Sequence, residues 1–169
     1  MQLSYSQKGF TMLEVLIAVF IVAIGVLGHS KMQLKSNNMV LQAGFAQSAN
    51  IALLDLAHRI RVNPEAAIAD QFIEDNLSSG DAPNFSVNCV TSNCTSVQTL
   101  VEYELNEWFT ALDRLLPDPR FKVTREETLP GHLISICLVW NAVRNEEDPD
   151  NCDSPKDGHQ NAELNVWLP

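Results

Sequence analysis

Between Phe10 and Gly28 only Thr11 and Glu14 are polar, and about 20 mostly apolar residues suffice for one helical crossing of a bilayer. Beyond Gly28 the apolar positions thin into a stripe. Met32, Met39, Ala43, Ala46, Leu53, Leu56 and Ile60 recur at three- and four-residue steps or their sums, the spacing of one face of a helix. Nothing stops that helix before Asn63-Pro64. The pattern therefore predicts one helix from Phe10 to Arg61, roughly 80 Å long at 1.5 Å per residue. Its first half is apolar all round and suits a membrane; its second half is apolar on one side and suits packing against a domain.

The remainder reads as a mixed head. Glu65 to Asn76 is predicted as a short helix, with Ile68, Phe72, Ile73 and Leu77 on one side, and Ser78 to Asn84 is a loop by composition. A capping box, Thr95 with Gln98 or Thr99 with Glu102, starts a second helix. Val101, Leu105, Trp108, Leu112 and Leu115 lie on one of its faces, and Pro117 ends it at Leu116. Strands are predicted over Phe121–Glu127, Leu133–Val143 and Leu164–Leu168, because apolar residues alternate there. Arg144 to Gln160 is a long acidic loop. The sum is an α+β fold, a long N-terminal helix packed on a small antiparallel sheet.

Length and charge narrow the possibilities. Removing a helical anchor of about 50 from 169 residues leaves one ordinary domain. From Pro64 to Pro169 there are six basic and nineteen acidic residues, a net of −13 within a total of −10. Such a head is repelled by phosphate backbones, and no basic patch interleaved with aromatics is present, so nucleic acid is not an expected partner. The four cysteines are Cys89, Cys94, Cys137 and Cys152. In an exported head they read as disulfides with three formal connectivities. Local pairing, Cys89 with Cys94 and Cys137 with Cys152, closes the shortest loops. Zinc would need tighter cysteine spacing and nearby histidines, whereas His29, His58, His132 and His159 are scattered.

Glu14 is the discordant residue. A carboxylate within an apolar span costs a few kcal/mol unless it lies near an interface or finds a partner. A cut after Gly9 would give Phe10 a new amino terminus, and an amine there on one subunit would meet the carboxylate of a neighbour. Lys8-Gly9-Phe10-Thr11-Met12-Leu13-Glu14 resembles the processing site of type IV prepilins and related pseudopilins. The resemblance implies that a prepilin peptidase removes the leader, that Phe10 is N-methylated, and that Glu14, the fifth residue after the cut, aids assembly. It divides the chain into a leader (1–9), a transmembrane helix (10–28), an amphipathic continuation (29–63) and a globular head (64–169). Competing readings fit less well. A secretory signal peptide cut near Ala23-Ile24-Gly25 would not carry Glu14 in its core. A plain signal anchor needs neither Gly9 nor Glu14, and a buried core helix is seldom so long and so purely apolar. The leader supplies only Lys8, against Lys31 and Lys35 after the span. Orientation therefore follows from the resemblance and not from the positive-inside rule.

The later order of motifs is similar to that of minor pilins of the type IV pilus modification family, PilV. Arg59 to Pro64 closes the long helix; two close cysteines follow, then a helix bearing Glu107-Trp108 and ending Leu115-Leu116-Pro117, then a strand ending in Trp140. The resemblance implies a minor pilin that joins other minor and major pilins in a complex initiating the filament or sitting at its tip. The protein would be a single-pass one, held in inner-membrane lipid with its head in the periplasm and later part of a cell-surface pilus. A minor pseudopilin of type II secretion and a membrane-anchored binding module are the alternatives. A binding module has no need of Gly9 or Glu14. No catalytic motif is present, so an enzyme is not expected. No cofactor is expected either. Calcium at the acidic loop Glu146–Asp157 is the one metal with suitable donors, but the spacing departs from the EF-hand pattern. Trp108, Trp140 and Trp167 read as core or interface anchors.

Overall fold

Thr11 opens the first helix, α1 (Met12–Val62), by accepting at Oγ1 the Glu14 backbone N–H at 3.3 Å. Arg59 and Arg61 occupy its last turn, where cations favour the exposed carbonyls. Pro64 then starts a separate short helix, α2 (Pro64–Ile68), as proline suits a first helical position. The computed structural model describes residues 11–77, 88–91, 94–128, 130–141, 152 and 158–169. The chain forms two compact units, 1–41 and 42–169.

In the first unit every described side chain is exposed. Leu16, Phe20, Ile24 and Leu27 are each more than half exposed, and the apolar surface continues around the whole helix. A helix apolar on all sides belongs in a membrane or inside a larger protein body. This one is unburied, with a mean hydropathy of 2.4 over its best 18-residue window.

In the second unit α1 has two different sides. Ala49, Leu53, Leu56, Ala57 and Ile60 are buried, while Ile51 and Leu54 are exposed. The buried side packs on a four-stranded antiparallel sheet, ordered β1 (Glu74–Asp75), β2 (Arg120–Thr128), β3 (Gly131–Asn141) and β4 (His159–Leu168). Val123, Ile136 and Leu164 stand in register, as do Ile134 and Val166, so the apolar alternation of β2, β3 and β4 faces the same way. A third helix, α3 (Val97–Asp113), adds Val101, Leu105, Trp108, Phe109 and Leu112. Trp108 joins three elements. Its indole N–H donates to the Ala52 carbonyl at 2.9 Å, and its ring meets Phe121 edge-on at 5.1 Å. The α+β arrangement expected from the pattern is therefore present.

Four boundaries differ from expectation. The helix expected over Glu65–Asn76 ends at Ile68, because Asp70 takes a left-handed φ of 62° and Glu74-Asp75 pair with Val123 and Lys122 of β2. The α3 cap is Ser96, whose hydroxyl accepts the Thr99 N–H at 3.2 Å, in place of Thr95 or Thr99. The helix stops at Asp113, and a turn onto the Leu112 carbonyl buries Leu116 while leaving Leu115 exposed. β4 begins at His159, inside the expected loop. Its outward positions Asn161 and Glu163 are polar and its inward ones begin with Gln160 and Ala162, so the apolar alternation starts only late in the strand. Ala142 and Val143, expected to extend β3, lie outside the described residues. The turn before β3 needs Gly131, since a Cβ there would sit 2.5 Å from the Leu168 carbonyl oxygen.

Candidate functional site

The site expected from the sequence straddles the start of α1. Gly9 and Phe10 lie outside the described residues. Glu14 sits in the first helical turn, with its side chain exposed. Thr11 and Glu14 have the T-x-x-E spacing of a capping box, and the Thr11 half of that box is made. A carboxylate in a first turn is also favoured by the unpaired N–H groups of the helix start. The sequence reading missed this local role for Thr11, although the spacing signals it. Glu14 thus stands at the start of the apolar span, where a negative charge has local support. An amino terminus at residue 10 would precede it by four residues.

In the head, Cys89 is bonded to Cys94 and Cys137 to Cys152, with Cα separations of 5.2 and 6.1 Å. The second bond attaches residue 152 to the middle of β3, where Cys137 packs with Leu77 and Val139 on the sheet face away from the helices. The acidic loop proposed for calcium lies outside the described residues apart from Cys152. Among the described residues no three His, Cys, Asp or Glu side chains converge as a metal site. Trp108 and Trp140 are buried, whereas Trp167 is 52% exposed.

One ionic cluster has no counterpart in the sequence reading. Arg125 of β2, 17% exposed, donates from Nε and Nη2 to the two carboxylate oxygens of Asp70, at 2.5 and 2.9 Å. Its Nη1 lies 3.3 Å from His132 Nδ1 and 3.5 Å from Glu127. This fork fixes the turn after α2 to the sheet. The two residues are far apart in sequence, so no local pattern reveals the pair.

Two carboxyls of this region titrate abnormally, in opposite directions. Hydrogen bonds from Arg125 hold the Asp70 carboxyl below the usual carboxylate range. A lowered folded pKa gives stability that is present above the unfolded value and lost as pH falls through the folded one. Burial, helped by the charge of Asp75, raises the Glu74 carboxyl. Its contribution has the reverse sign, complete below the unfolded value and lost as pH rises through the raised one. Asp70→Asn, which tolerates the left-handed backbone, should flatten part of the loss of melting temperature below about pH 4. Glu74→Gln should raise the melting temperature at neutral pH. Melting curves from pH 2 to 8 check both; an unchanged acid limb in Asp70→Asn would exclude the first.

The model for the prokaryotic N-terminal methylation motif matches residues 5–28. The match supports a type IV prepilin-like or pseudopilin-like N-terminus, which implies processing by prepilin peptidase and assembly with other pilins. Comparison with curated proteins and with solved structures gave no match. An exposed apolar N-terminal helix together with this motif fits a protein held in a membrane and associated with a pilus.

Proposed function

We propose that the chain is a minor pilin of a type IV pilus, similar to the PilV class, acting as a structural subunit and not as an enzyme. The observation that carries this reading is the coincidence of the methylation motif at residues 5–28 with a helix whose apolar span, up to Gly28, has Glu14 as its one acidic residue, in the first turn. Prepilin peptidase cuts between Gly9 and Phe10, and Phe10 becomes N-methylated. The remaining helix, from residue 10 to about 28, is a single-pass anchor in the inner membrane, and the head projects into the periplasm. The protein then enters the filament with other minor and major pilins, as part of the group that initiates the pilus or occupies its tip.

The deciding measurement is the N-terminal residue and mass of membrane-extracted protein. The expected mature chain starts at N-methyl-Phe10. A chain starting at Met1, or cut near Gly25, overturns the reading. Gly9→Val should leave essentially all of the protein at full length, because a branched side chain crowds the peptidase site. Membrane insertion should persist, since the apolar span is untouched.

A further inference from the structure

The sheet ends on a strand with an open side. β4 pairs with β3 through ten consecutive residues, and among the described residues no chain pairs with its other edge. At about 3.4 Å per residue this edge is roughly 34 Å long. About half of its residues direct their N–H and C=O groups away from β3. Proteins usually blunt such edges by making them short, bulged, or rich in lysine or proline. The opposite edge is short, for β1 has only two residues. β4 has none of these devices. Its register with β3 is unbroken, and His159–Leu168 contains no lysine, arginine or proline.

The side chains beside that edge specify what it would accept. Asn161, Glu163, Asn165 and Trp167 alternate on the exposed face. Glu163 has no ion-pair partner among the described residues, because Lys122, two strands away in the same register, is held by Asp75 at 2.7 Å. Asn161 is engaged with the Cys152 carbonyl. A free carboxylate and a half-exposed indole four residues apart on one face match cations at alternate positions of an added strand. A second copy of the chain is a poor occupant. It would bring together two heads of −13 each, with like charges along the seam.

We propose that the open edge of β4 receives an extended basic segment of another protein as a fifth strand, its cations set against Glu163 and Trp167. Backbone hydrogen bonds would hold the segment and the side chains would choose it. This inference goes beyond the minor-pilin reading and is independent of cleavage at Gly9, so either can fail alone.

The test uses full-length protein in detergent micelles and two capped ten-residue peptides, one alternating Lys and Val and the other Glu and Val. Amide hydrogen exchange is followed across the head. With the Lys-Val peptide near millimolar concentration, exchange at alternate amides of residues 159–168 should slow by about tenfold or more. The Glu-Val peptide should have no effect, and added salt should weaken the first result. Glu163→Lys, at an exposed position, should reverse the preference between peptides. The proposal is overturned by no protection in β4, by equal protection from both peptides, or by protection confined to other parts of the head. Protection that grows with protein concentration without peptide would assign the edge to self-pairing and overturn it equally.

Discussion

Glu14→Leu should be cleaved, inserted and folded normally, yet fall out of sheared filaments. The charge costs a few kcal/mol in lipid, so its removal makes insertion easier and membrane abundance should not drop. On the minor-pilin proposal, what the substitution removes is the attraction between the carboxylate and the amino terminus of a neighbouring helix. At low effective dielectric that attraction is several times stronger than in water. It therefore favours a subunit entering a bundle of helices over one alone in lipid. Filament incorporation should fall by tenfold or more, the factor that about 1.4 kcal/mol represents. If the subunit is needed for initiation, piliation falls with it. Filament yield and membrane abundance are measured together. Normal incorporation of the variant would mark Glu14 as incidental and favour a membrane-anchored binding module. Loss from the membrane fraction would instead assign Glu14 to helix stability through its place beside Thr11.

Trp108→Ala should produce the largest loss of head stability. The indole is 2% exposed, packs edge-on against Phe121 and donates to a carbonyl of α1. Large-to-small changes of buried aromatics cost about 3–5 kcal/mol. The lost hydrogen bond adds about 1 kcal/mol. Against a total stability of about 5–15 kcal/mol, that is a large share. The melting temperature should fall by about 10–20 °C. Trp167→Ala is the control: its ring is half exposed, so the change should stay within about 1 kcal/mol. Thermal unfolding of the full chain in detergent distinguishes the two. Equal effects would mean that Trp108 is not the junction of α1, α3 and β2.

Most of the helical architecture was legible from residue order. The apolar span, the stripe from Ala46 to Ile60 and the stop at Asn63-Pro64 are local signals, and α1 ends at Val62 as they require. Alternation in Ile134, Ile136, Leu138 and Trp140 gave β3 for the same reason: one face is buried, and the pattern has period two. Boundaries failed where a partner distant in sequence decides the backbone. Glu65–Asn76 carries a helical pattern, yet Arg125 captures Asp70 and β2 captures Glu74-Asp75. Local propensity is worth tenths of a kcal/mol per residue, so several tertiary hydrogen bonds override it.

The N-terminal site divides along the same line. The sequence by itself determined the apolar span, the position of Glu14 within it and the T-x-x-E spacing, because these depend on residues within one or two helical turns. It also placed the acidic charge in the head. Only the tertiary structure decided that cover on the α1 stripe begins after residue 41, leaving Met32 and Met39 exposed, and that Trp108 closes the core while Trp167 faces outward. It also made β4 a ten-residue strand paired, among the described residues, on one side only. Strand order and burial depend on contacts between segments tens of residues apart, and a local pattern of polar and apolar residues does not encode which segments meet.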